Sequence, residues 1–207
     1  MMTKLETVLN AIDDANRADP NQEDGQPAAL LYGHRMTSEV DRLFPEASDS
    51  LKIAARGQHI ERWTVARSTY PEGRAGYHAW RRDLARHHAS RVGTMMTDAG
   101  YAEDDVQAAE RMLRKEGIKR HDDVQALEDV ICFVFLKWYF APFAAKHEES
   151  KVLDIVQKTA RKMSDQARER VLKEFDLPAP LADAVKLLTP GSDIAPASKG
   201  HKGQEPR

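Results

Sequence analysis

The chain contains one cysteine, Cys132, so no internal disulfide can form and the fold has to rest on packing alone. Cys132 lies in an apolar run where a small hydrophobe serves, and a lone thiol fits a reducing cytoplasm. Long apolar runs are also missing. The most apolar stretch, Val130 to Phe143, is too short to span a bilayer and is interrupted by Lys137, so no membrane insertion is expected. The opening residues MMTKLETVLNAIDD alternate polar and apolar positions instead of forming a signal-peptide core, which points to a cytoplasmic protein. The net charge of −2 provides no global basic field for nucleic acid or an anionic membrane. A glycine-rich phosphate loop, a CxxC pair and a GxSxG elbow are all absent. No β-alternation of useful length and no internal repeat appears.

What is present is helical periodicity. With 207 residues, 41% hydrophobic and 31% charged, the chain suits one soluble domain, expected over 1–188, followed by a disordered Gly, Pro, Ser and Lys tail over 189–207. Leu5, Val8, Leu9 and Ile12 mark a first helix that ends before Asp19-Pro20. Residues 21–26 read as polar loop, and Pro27 suits the first turn of a second helix that Pro45 closes. Ser48 or Asp49 caps a third helix, expected over 50–66. After the Pro71 turn a long helix runs from near Arg74 to a left-handed cap at Gly100, and a fifth runs over 103–116 to Gly117. The sixth, capped by Asp122, is apolar nearly all round, as a central element is, and Pro142 kinks or ends it. Two amphipathic helices over 151–163 and 166–175, separated by Ser164-Asp165, precede a last short turn over 181–188. The class is all-α, a bundle of about seven to eight helices.

Local charge picks out the segment that bears the candidate site. From Arg56 to Arg91, eight arginines stand against Glu61, Glu72 and Asp83, so that segment carries +5 and the rest −7. Arg62, Arg67, Arg74, Arg81 and Arg82 surround a turn containing Tyr70 and Tyr77, with Trp63 and Trp80 near its ends. A guanidinium fork matches phosphate or carboxylate and aromatic rings stack on a base or sugar, which suggests a phosphorylated ligand held by Arg62, Arg67, Arg81, Arg82, Trp63 and Tyr70. Alternatively, the arginines pair with the surplus acids elsewhere, Glu128 and Asp129 among them.

Glu128 and Asp129 open a helix that otherwise buries its surface, and a buried carboxylate needs a cation, several hydrogen bonds or a metal. Consecutive residues lie about 100° apart, so at most one of the two can point at a given spot; both could also lie at a solvated helix end. His59 falls at the margin of a buried face, where a histidine serves either as a hydrogen-bonded core residue or as a ligand. His34, His87 and His88 lie on the neighbouring helices. Neutral imidazole plus carboxylate is the ligand set of zinc, iron or manganese.

The order His34, His59, Asp129 along successive helices resembles the HD superfamily of metal-dependent phosphohydrolases. These are all-helical enzymes whose first His, His-Asp dipeptide and distant Asp bind one or two metals. The resemblance implies His34, His59 and Asp129 as ligands of a divalent metal, and hydrolysis of a nucleotide or other small phosphorylated metabolite; helix order alone offers His87 or His88 for a second metal, with His88 taken as the further ligand. Here Ile60 follows His59, so either the metal site is remodelled or the fold persists without hydrolysis.

The motifs AARGQHIERW, ARSTYPEGRAGYHAWRRDL, LEDVICFVFL and RKMS together are similar to the bacterial and fungal family called domain of unknown function 4202, over roughly residues 28–164. That similarity implies one domain and leaves the chemistry open. Lys162-Met163-Ser164 resembles the start of the KMSKS loop of class I aminoacyl-tRNA synthetases, but no nucleotide-binding strand pattern surrounds it and the Lys-Ser end is missing.

Two functions are thus expected to compete. One is an HD-like metal-dependent phosphohydrolase. The other is a helical module that binds phosphate, nucleotide or, less favoured, RNA, without turnover.

Overall fold

A computed structural model describes residues 2–188, so the tail expected from 189 onward lies outside the described residues. The fold is all-α, with ten α-helices and a single two-stranded hairpin among the described residues. Helix α1, Lys4–Asn16, starts on a reciprocal cap in which Thr3 Oγ1 accepts from the Glu6 amide while the Glu6 carboxylate accepts from the Thr3 amide at 2.7 Å. The stretch expected as loop folds back as β1, Gln22–Glu23, against β2, Gln26–Pro27. Asp24 and Gly25 turn it, both at positive φ. Pro27 sits at the N-cap of α2, Ala28–Leu43, instead of in its first turn. Its cap is supplied from a distance, because the buried Asp19 carboxylate accepts from the Ala29 amide at 2.9 Å.

Helix α3, Asp49–Arg56, is capped by Ser48 but does not run on to residue 66. A Cβ at Gly57 would stand 2.4 Å from Val92 Cγ2, so the bare glycine lets the chain cross closely over the next long helix. Three short 3-10 turns follow, Gly57–His59, Arg62–Thr64 and Arg67–Thr69. Between the first two, Glu61 takes the left-handed conformation at φ 49. Its amide donates to Asn16 Oδ1 at 3.0 Å, and its carboxylate accepts two bonds from Arg91, at 2.7 and 2.8 Å. These distant partners outweigh the helical preference of the local sequence.

Helix α4, Gly73–Asp98, ends before the left-handed Gly100 as expected, and α5, Glu103–Arg114, ends on a left-handed Lys115 with Gly117 completing the turn. Helix α6, Asp122–Val134, has His121 at its N-cap in place of Asp122, with no side-chain cap bond. It widens into a π turn, Phe135–Tyr139, before α7, Phe140–Ala144, which carries Pro142. A proline here has no amide to give back to the preceding turn, and the widened segment absorbs the mismatch. The chain closes with α8, Glu149–Lys162, α9, Asp165–Glu174, capped by Ser164, and α10, Ala179–Lys186.

The main core is shared by α1 to α6: Val8 and Ile12, Met36 and Val40, Ile53 and Ala54, Val92 and Met96, Met112, and Leu127 and Val130 interlock with almost no exposure. Phe133 at the end of α6 and Leu136 in the π turn pass into a second cluster with Met163 and Val171, so α6 touches both cores as a central element does. Lys137, the one charge in its apolar run, reaches the fully buried Glu39 on α2 at 2.8 Å, and Arg42 completes that pair at 2.6 Å. No described helix is long and apolar enough to cross a membrane.

Candidate functional site

The 3-10 segment after Gly57, the start of α4, the hairpin and one face of α6 enclose a cavity of about 820 Å³. Because Gly76 has no side chain, the Pro71 turn can close on α4; a Cβ there would meet the Pro71 carbonyl oxygen at 1.9 Å. Trp80 on α4 fixes the segment opposite by donating from Nε1 to the Val65 carbonyl at 2.9 Å, and the Arg62 guanidinium lies over its ring, 4.8 Å from the centroid. On the other side the π turn brings round Tyr139, whose hydroxyl accepts from Arg35 at 2.8 Å; Arg35 also binds Glu23 and Asp24 and so ties the hairpin down as one wall. Tyr32 lies stacked on His59 at 3.7 Å between ring centroids and 5.9 Å from Tyr139.

The electrostatics of this cavity are decided by which charges are already occupied. Asp19 accepts from the amides of Asn21 and Ala29, and Glu23 is bound by Arg35. Glu128, almost fully buried, receives Lys115 at 2.6 Å and faces Lys162 at 3.6 Å. Burial pushes its carboxyl up, but the two lysines outweigh this and hold it below the usual carboxylate range. The lining acids are therefore taken, while Arg62, Arg67 and Arg81 have no carboxylate partner among the described residues. Arg62 Nη1 is buried without a hydrogen-bond acceptor. Burial first, then the charge of Arg81, lowers the pKa of its guanidinium. Neighbouring cations without counter-charge favour an anion between them.

Two imidazoles sit beside these arginines. His59 and His88 lie with ring centroids 6.2 Å apart. Burial, then His87, Arg62, Arg81 and Lys115, push His88 down to about 3, and burial followed by Arg62 drives His59 well below its ordinary value. Both rings are neutral in the fold. A folded pKa below the unfolded one makes stability full above about pH 6.5 and lost as pH falls toward 3. Urea unfolding should show about 2 kcal/mol less stability at about pH 5 than at pH 7 from His88 alone, and His88→Gln should flatten that slope. Equal stability at the two pH values would contradict the placement of this ring.

The structure sorts the residues expected from sequence into three groups. Arg62, Arg67, Arg81, Trp63 and His59 line the large cavity together. Arg82 and His88 instead line a neighbouring smaller one, and Tyr70 lines neither, its hydroxyl donating to Asp83 at 3.0 Å. His34 and Asp129 stand apart from both cavities. The His34 ring, 44% exposed, is bonded to Asp13 at 3.2 Å, alongside Arg56. Asp129 is buried and accepts from Ser164 Oγ at 2.6 Å, from the Ser164 amide at 2.8 Å and from Gln125 at 2.9 Å.

Among the described residues no group of three or more His, Cys, Asp and Glu is placed to hold a metal ion. The donor set His34, His59, His88 and Asp129 does not fit one, since two of its members are committed to other partners. Glu128 and Asp129 lie in the middle of α6 and do not open it; Glu128, not Asp129, faces the cavity, and neither sits at a solvated end. Lys115, Lys162, Gln58, Tyr32 and Tyr139 also line it and carry no signal in the sequence. Their convergence depends on a left-handed residue, a helix end and a π turn. Cys132 also lines the cavity, but burial pushes its thiol up and keeps it inert.

A family model described as a domain of unknown function (DUF4202) matches residues 6–185. No curated protein and no solved structure matches the chain.

Proposed function

Given that the chain belongs to the DUF4202 family, whose description assigns no chemistry, we propose from its own residues that it binds a small phosphorylated ligand, foremost a nucleotide, in the large cavity without a metal. The observation that supports this most is the cluster of Arg62, Arg67 and Arg81, which lines the cavity with no carboxylate partner among the described residues, beside Trp63, Trp80 and Tyr77. Guanidinium forks take the phosphate, and the indole and phenol faces stack the ring system. About 820 Å³ falls in the range of about 300–1,000 Å³ usual for small-molecule sites, which favours a metabolite over a nucleic-acid strand. An HD-type phosphohydrolase requires His34, His59 and Asp129 on one ion. His34 and Asp129 are held by Asp13 and Ser164 instead, so ligand binding is the better-supported reading.

Titration calorimetry over the ribonucleotides in chelator should find Kd values at or below about 100 μM for at least one of them, weakened by added salt and competed by inorganic phosphate. If nothing phosphorylated binds tighter than about 1 mM, the arginine cluster is not a ligand site.

A further inference from the structure

The smaller cavity, of about 360 Å³, adjoins the large one, and Gln58, Arg62, Arg81 and Lys115 line both. Its remaining lining is strongly one-signed. Arg82, Arg86 and Arg114 stand against Glu116, the only acid that lines it among the described residues. Some of these cations are occupied: Arg114 binds Glu110 and Glu116, Lys115 binds Glu128, and Arg86 lies 3.7 Å from Asp83. Arg82 has no ion pair among the described residues, and neither do Arg62 and Arg81 on the shared wall. Two polar atoms of lining side chains, Gln58 Oε1 and His88 Nε2, are buried with no hydrogen-bond partner, on residues only 5% and 3% exposed. His88 Nε2 can donate to an anion when the neutral ring carries its proton there. A cavity with surplus guanidinium charge and an unpartnered imidazole nitrogen is built for anion oxygens.

Resting on the phosphate-binding reading above, we infer that the ligand carries a chain of at least two phosphates. The first lies on the shared wall of Arg62 and Arg81, and the next continues into the smaller cavity toward Arg82 and His88. The ligand class is then a nucleoside diphosphate or longer, with the organic part in the larger, aromatic cavity. The division of the lining supports this order, since Trp63, Trp80, Tyr77 and Tyr32 all belong to the large cavity and no aromatic ring other than His88 lines the small one.

The test compares mono- and diphosphates of each ribonucleoside by calorimetry, in chelator, with the wild-type chain and with Arg82→Ala. Arg82 is exposed and makes no ion pair among the described residues, so the variant is expected to fold, and thermal unfolding checks that it does. The wild-type protein should bind the diphosphate about tenfold or more tighter than the monophosphate of the same base, and in Arg82→Ala that ratio should fall toward one. Arg82→Glu should push it below one. Equal affinities in the wild-type chain, or a ratio that both variants leave in place, would overturn the second-phosphate assignment while leaving the monophosphate site standing. Failure of every phosphorylated compound to bind would instead remove the reading on which this one rests.

Discussion

Replacing Arg62 by methionine should lower nucleotide affinity by about a hundredfold and at the same time make the ligand-free protein more stable. The two effects have one cause. Arg62 is held inward by the left-handed Glu61 before it, which Asn16 and a bidentate Arg91 fix in place, and by the face of Trp80 against it. Its Nη1 has no acceptor, it has no carboxylate partner among the described residues, and Arg81 repels it. A desolvated, unpaired cation costs the free protein stability and repays that cost only when an anion arrives. A charge-assisted bond to phosphate contributes about 1.5–3 kcal/mol, which corresponds to roughly ten- to a hundredfold in Kd, and the buried, unpartnered Nη1 of the half-buried Arg62 places its loss at the upper end.

Methionine keeps the length and the packing on Trp80 while removing the charge. Relief of the unpaired charge should raise the unfolding free energy by about 1–3 kcal/mol, which exceeds the cation–π contribution of about 0.5–1 kcal/mol that is lost. Calorimetry and urea unfolding on the same preparation read both quantities. A variant that is less stable but binds normally would mean that Arg62 is a structural prop for Trp80 and nothing more.

Asp129→Ala should cost about 3 kcal/mol of stability and leave ligand binding insensitive to chelator, whereas Asp129→Asn should cost about 1 kcal/mol or less. The carboxylate joins α6 to the junction of α8 and α9 by accepting from both the amide and the hydroxyl of Ser164, with Gln125 as a third donor. Alanine leaves those donors unsatisfied in a buried place, the expensive way to lose a hydrogen bond. Burial, in spite of the bonds from Ser164, pushes the Asp129 carboxyl above its ordinary value, so the charged form is a strain on the fold at neutral pH. Asparagine removes that charge and keeps an acceptor for the Ser164 amide. A metal ligand behaves differently, with both substitutions stripping the ion. Unfolding midpoints and metal content of the two variants therefore separate a hydrogen-bonded strut from a ligand, and equal losses with a released ion would reinstate the metal.

Much of the framework was legible because it follows from local pattern. The spacing of Val8 and Ile12 places α1, Ser164 caps α9, and Gly100 stops α4, each through chemistry contained within a turn or two of chain. The arginines and aromatic residues concentrated between Arg56 and Arg91 supply much of one cavity wall, where Arg62, Arg67, Arg81, Trp63 and His59 meet. The errors came where distant contacts ruled. A helix through residue 66 is what the local sequence favours, yet Gly57 against Val92 and Glu61 in the grip of Asn16 and Arg91 break it into short turns. That break carries Arg62 into the cavity.

The composition and periodicity of this chain determined an all-α domain and which stretch of it would be unusually cationic, because helical faces and charge counts are properties of neighbours in sequence. Which cations stay unpaired was decided only by the tertiary structure. Lys115 and Lys162 find Glu128, His34 finds Asp13 and Ser164 takes Asp129, all across large gaps in the chain, and what is left over around Arg62 and Arg81 is the charge that a ligand can use.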